Sequence, residues 1–115
     1  HLVEMLRMHL YFIYAHSDQT RIILEQTHLL HDAEAGAVRA NQRRIFDFYR
    51  ACLTQAYAQR EIAGDAASGS LLALSVLNGF FRWARTTPRR SLDQQIASSI
   101  AFIMGGLGLG ADGGA

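Results

Sequence analysis

The sequence predicts an all-α fold, a helical bundle of about five antiparallel helices, and three observations carry that expectation. Six of the ten glycines follow Met104, so the body keeps only Gly36, Gly64, Gly69 and Gly79 and lacks the punctuation of hairpins. Apolar residues recur at three- and four-residue spacing along most of the chain. The single proline, Pro88, falls between two such periodic segments. A chain of 115 residues makes one domain, able to bury roughly two-thirds of its unfolded surface. Half of its residues are hydrophobic and 18% are charged, too apolar for a disordered tail and too mixed in pattern for a membrane span. The formal charge is +1, without the cation excess that gives non-specific hold on nucleic acid or an anionic bilayer. All eleven basic residues are arginine, which carries no functional weight here.

The first helix runs from Leu2 to about Ala15. It is apolar nearly all round, with a narrow strip of Glu4, Arg7, Tyr11 and Tyr14 for water, and is expected to be mostly buried. It has no capping residue ahead of it, so the chain is expected to be cut from a longer one. Ser17 and Asp18 break it and cap a second helix, from about Gln19 to His31, with Ile22, Ile23, Gln26, Leu29 and Leu30 facing inward. The third and longest helix spans about Glu34 to Ile62, some 40 Å at 1.5 Å per residue. Val38, Ile45, Tyr49, Cys52, Leu53 and Ala56 form its buried stripe, and Arg39, Arg43, Asp47 and Arg50 its solvated one. Gly64 suits a helix stop and Asp65 an N-cap, opening a fourth helix that reaches about Thr86. Ser91 with Gln94 forms a capping box for the fifth, from Leu92 to about Gly106. The packed domain is expected to span 1–108, followed by a flexible glycine-rich tail over 109–115. Its glycines neither follow a strand nor open a helix, so they are no phosphate loop.

The last two helices carry more apolar surface than one chain needs. The fifth is anchored by Leu92, Ile96, Ile100, Ile103 and Leu107, while Phe102 falls with Gln95, Ser98 and Ser99 on a side that a monomer would leave in water. Ala97, Ala101, Gly105 and Gly106 are small enough to admit a second helix. The fourth shows Leu72, Val76, Phe80 and Trp83 on one side and Ala73, Leu77, Phe81 and Ala84 on another. Two such helices meeting their symmetry mates make a four-helix dimer interface, for which Leu77, Phe81, Ala97, Ala101, Phe102 and Gly105 are the expected contacts. The alternative is that these residues face another part of a longer chain.

The stretch Leu77-Asn78-Gly79-Phe80-Phe81-Arg82-Trp83, then Pro88, Ser91-Leu92-Asp93 and the closing Ile103-Met104-Gly105-Gly106-Leu107, resembles the end of the ligand-binding domain of TetR-type transcriptional regulators. Ile22-Ile23-Leu24-Glu25 and the long helix ending Arg60-Glu61-Ile62 before Asp65 are similar to the same family, especially its branch that responds to lipids and acyl-CoA. The long helix departs from the pattern by ending Gln59-Arg60-Glu61-Ile62, without the glycine often found there. The resemblance implies a cytoplasmic, homodimeric repressor of two domains. Its amino-terminal helix-turn-helix, absent from this chain, would read operator DNA. Its carboxy-terminal bundle would dimerise and sense a small-molecule effector, of fatty acyl or acyl-CoA type.

A sensing bundle needs an apolar gap between helices with a few polar groups for orientation. Met5, His9, Phe12 and His16 share a face of the first helix. Phe48 and Cys52 share a face of the long one, with Tyr49 beside them, and Thr27 and Asn78 are polar residues next to apolar stripes. The expected ligand-binding set is His9, Phe12, Thr27, Phe48, Tyr49 and Cys52, for a mostly apolar ligand with an acyl or aromatic body. Against it stands the plain alternative that these residues fill the core. Glu25-x-x-His28, with His31, has spacing used in carboxylate-bridged metal sites, but it lacks a matching second motif and lies on the polar face with Arg21 and Asp32, so no metal or other cofactor is expected. Arg82, Arg85, Arg89 and Arg90 either complement a helix C-terminus or hold coenzyme A phosphates. Ser17, Ser68, Ser70 and Cys52 have no motif that sets a base beside them, so catalysis is not expected. Cys52 as the only cysteine fits a reducing compartment. A helical-bundle metalloprotein and a dimerisation module with a closed core remain as readings from other classes.

Overall fold

The structure is a computed structural model that describes residues 2–16, 18, 19, 21, 32–84 and 91–110; the side chain of Phe81 is not among them. Four helices are defined within these residues: α1 (Leu2–Ala15), α2 (Asp32–Gln59), α3 (Ala66–Trp83) and α4 (Leu92–Gly106). No strand occurs among the described residues. The expected second helix, with its inward residues, Thr27 and the Glu25, His28 and His31 group, lies outside them, as do Arg85, Arg89, Arg90 and the end of the tail.

α1 ends where its pattern predicts, but it is far less buried than its composition suggests. Only Leu6, Leu10 and Ile13 are buried, at i, i+4 and i+7, while Met8 is 71% exposed and Phe12 58%. A helix docked against α3 and α4 has one inward stripe, and apolar residues elsewhere on it stay outside. Glu4 pairs with Arg7 on its outer side, and the Tyr11 hydroxyl donates to the Asp93 carboxylate at the start of α4.

α2 buries Ala35, Tyr49, Leu53 and Tyr57, and its end departs from expectation. The helix stops at Gln59, not near Ile62, and Glu61 takes φ 53°, the left-handed position where a glycine is usual. The Ile62 N–H donates to the Tyr57 carbonyl at 2.9 Å and the Glu61 N–H to Ala58 at 3.2 Å, the paired bonds of a Schellman termination. Gly64 is not the stop. Its role is steric, because a Cβ there would lie 2.5 Å from the Tyr57 ring.

The cap residues act as the sequence suggests. Asp65 accepts from the Ser68 N–H at 3.1 Å and its hydroxyl at 2.7 Å, which hold its carboxyl below the usual range. At α4 the Gln94 N–H reaches Ser91 Oγ at 3.1 Å while the Ser91 N–H reaches Gln94 Oε1 at 3.2 Å, a complete capping box.

α3 is the central helix, packed against the other three. Its inner stripe of Ala73, Leu77, Phe80 and Ala84 joins Leu6, Leu10 and Ile13 of α1, Tyr49, Leu53 and Tyr57 of α2, and Ile96, Ile100 and Ile103 of α4 in one core. Small residues let α2 come close: Gly69 and Ser70 are fully covered, and a Cβ on Gly69 would stand 2.9 Å from Leu107 and 3.3 Å from Leu53.

α4 reverses part of its expected polarity. Gln95 and Ser99 face inward, both nearly inaccessible, because they flank the Ile96, Ile100 and Ile103 stripe. After α4 the chain turns through Gly108 at φ 78°, and the Leu109 N–H bonds the Met104 carbonyl at 2.8 Å. Leu109 is 1% exposed, so the packed domain extends one residue beyond the expected boundary at 108.

Two substitutions test this frame. Glu61→Gly relieves the left-handed strain and should raise unfolding stability by about 1 kcal/mol in urea titration. Gly64→Ala should lower it by about 1–3 kcal/mol, since the Tyr57 ring must move or the loop must shift.

Candidate functional site

α2 and α3 touch closely where Tyr57 and Leu53 meet Gly69, and towards the amino-terminal half of α2 they leave an open cleft of about 650 Å³ that α1 also walls. α1 contributes His9, Phe12 and Ile13. α3 contributes Leu71, Leu74, Ser75 and Asn78, and α2 brings Val38, Ile45 and Phe46 as apolar lining. The edge on α2 is polar: Arg39, Asn41, Gln42 and Arg43. Such a cleft is within the size range of small-molecule sites, and its mix of apolar walls with few polar groups is what such sites need.

The best-defined polar group in it is a pair. Tyr49 is buried, and its hydroxyl lies 2.8 Å from His9 Nδ1 with the two rings stacked at 5.8 Å between centroids. Burial, and then the neighbouring Cys52, push the Tyr49 phenol well above its ordinary value, so it keeps its proton. Burial holds the His9 imidazole below its ordinary value of 6.5. His9 therefore lines the cleft as an uncharged imidazole whose Nδ1 is engaged by the Tyr49 hydroxyl. Opposite, the Ser75 hydroxyl donates to the Leu71 carbonyl at 2.8 Å, keeping its lone pairs.

Of the six expected ligand-binding residues, the structure brings His9 and Phe12 into the cleft and sets Tyr49 directly behind His9. Cys52 is half-buried beside Tyr49 and does not line the cleft. Phe48 is 59% exposed and turned away from it, one helical position off the buried stripe. Thr27 lies outside the described residues. Arg39 and Arg43, read from the sequence as a solvated stripe, are exposed and also line the cleft. Asn78 and Ser75 were visible as the polar residues of an apolar run, whereas nothing in the sequence distinguished Leu71 and Leu74 from core.

On the outer face, Ala97, Ala101, Phe102 and Gly105 form one exposed strip of α4, with Phe102 70% exposed and open space where a Gly105 Cβ would stand. Leu77 is buried in the chain's own core, beyond reach of a second copy, and the Phe81 side chain is outside the described residues. α3 adds exposed Leu72 and half-buried Val76. Among the described residues no cluster of three or more His, Cys, Asp or Glu could hold a metal ion, and no helix is long and apolar enough to cross a membrane.

The His9 arrangement sets a pH dependence. Below about pH 6.5 the unfolded chain binds a proton at this residue that the folded chain does not, so stability falls on acidification until folded His9 also protonates. The urea midpoint should therefore drop between pH 7.5 and 5.5, and His9→Gln should flatten part of that slope. An NMR titration should place the His9 pKa below its ordinary value of 6.5.

A profile described as "Tetracyclin repressor-like, C-terminal domain" matches residues 1–107. No curated protein and no solved structure gives a significant match. With helices and no strand among its described residues, an apolar cleft between three of them, and a match over nearly its whole length, the chain belongs to the family of tetracycline repressor-like C-terminal domains, the regulatory domains that bind ligand and dimerise in repressors of this type.

Proposed function

We propose that this chain is the effector-sensing and dimerisation domain of a cytoplasmic repressor, and that a small, mostly apolar ligand of acyl or aromatic body, bound in the cleft between α1, α2 and α3, releases the protein from DNA. The observation that carries this reading is the cleft itself: apolar walls from three helices with an uncharged imidazole, His9, hydrogen-bonded to Tyr49. Its function is binding, not catalysis. DNA would be read by a helix-turn-helix elsewhere in the protein, as in the family.

Dimerisation is supported by the strip Ala97, Ala101, Phe102 and Gly105. α3 connects the two roles, since Leu74 and Asn78 line the cleft while Leu72 and Val76 lie on its outer side. A ligand that fits one seating of α3 better than another shifts the population between two dimer arrangements, and only one of them matches two operator half-sites.

Light scattering should give a dimer, and Phe102→Glu should weaken it at least about 100-fold by placing a charge in a packed apolar contact. The neutral dye N-phenyl-1-naphthylamine should bind the cleft. Ser75→Trp, at an exposed position on the cleft wall, should lower dye affinity about tenfold by filling the space, with Tm changed by no more than about 2 °C.

A further inference from the structure

Among the described residues, the cleft lining holds two arginines and no aspartate or glutamate. Arg43 engages Asp47 through Nε at 3.3 Å, which leaves the outer edge of its guanidinium available. Arg39, one turn earlier on the same face of α2, makes no ion pair or hydrogen bond to another described residue. Both arginines are exposed, whereas Ile13 on the cleft floor is buried. The polar groups on the other walls, His9, Ser75 and Asn78, are uncharged at neutral pH, with His9 held neutral by its burial.

A site with cations only at its mouth and uncharged groups inside discriminates both the sign and the orientation of an amphipathic ligand. An anionic head against a guanidinium makes charge-assisted hydrogen bonds in a fork that fits a carboxylate. The opposite orientation would strand that charge among Ile13, Leu74 and Ile45, where desolvation is costly. A cationic head finds no acidic partner among the described residues of the lining.

Resting on the reading of this cleft as the effector site, we propose that the effector is an amphipathic monoanion, a carboxylate-headed chain whose head lies against Arg39, supported by Arg43, and whose apolar body extends inward between α1 and α3. The head group therefore selects the ligand, and the wall residues tolerate variation in the body.

The test uses three ten-carbon probes with the same tail, decanoate, methyl decanoate and decylammonium, competing against N-phenyl-1-naphthylamine on the whole chain at pH 7.5. Decanoate should displace the dye at a concentration about tenfold lower than either of the others, and raising the salt should narrow that gap. Arg39→Gln should bring decanoate to the level of the ester while leaving the ester unchanged, and Arg39→Lys should retain part of the preference. Equal displacement by decanoate and ester in the unaltered protein, or a preference that survives Arg39→Gln, would overturn the head-group assignment and leave the cleft standing as a site. If the dye and all three probes fail to bind, the effector-site reading falls, and this inference falls with it.

Discussion

The fold turns on Tyr57. Its ring lies against Gly64 in the α2–α3 loop, where a Cβ would come within 2.5 Å, and its hydroxyl donates to the Leu107 carbonyl at 2.8 Å. Its backbone carbonyl takes the Ile62 N–H that ends α2. One side chain therefore joins the end of α2, the start of α3 and the end of α4. Because Gly69 and Ser70 present almost no bulk there, α2 and α3 meet closely at that end. The cleft is the consequence at the other end, where Val38, Ile45 and Phe46 on α2 face Leu71, Leu74 and Asn78 on α3 without meeting them. A site that opens between helices clamped at one end keeps its shape without needing a rigid lining of its own.

What the sequence made legible follows the range of the forces involved. Asp65, Ser91 and Gln94 act on backbone groups within three residues, so their caps could be read directly, and the apolar period was enough to bound α1. The end of α2 was hidden because the left-handed position is held by Glu61, a residue that carries no signal for it. Surface assignments failed where two residues border a stripe. Gln95 and Ser99 sit beside Ile96 and Ile100 and are drawn in with them, while Phe12 and Met8 on an apolar helix are left out. A helical wheel gives angles, and only the neighbouring helices decide how wide the buried arc is.

The site was legible by residue type and not by contact. His9 and Tyr49 were both singled out, yet their bond spans forty positions and depends on how α1 and α2 approach. Phe48, adjacent to Tyr49, illustrates the limit: a rotation of about 100° per residue separates a buried hydroxyl from an exposed ring. Arg39 and Arg43 are exposed, as a solvated stripe should be, but the cleft edge falls along that stripe, so exposure and participation in the site coincide.

Within the proposed function, α3 is the element on which sensing and assembly meet. Ala73, Leu77 and Phe80 hold it to the core, Leu74, Ser75 and Asn78 line the cleft, and Leu72 and Val76 look outward. A helix of 18 residues moves as a body, so pressure on the cleft face cannot be absorbed by side chains alone when the inner face is close-packed against the core. The tight seat at Gly69 restrains translation at one end and leaves tilt about that end as the softer displacement. A ligand seated between Phe12 and Leu74 would act on α3 at some distance from that seat, where a given force has more leverage. The same Tyr57 clamp that creates the cleft would then convert its occupancy into a change of angle at the outer face of α3.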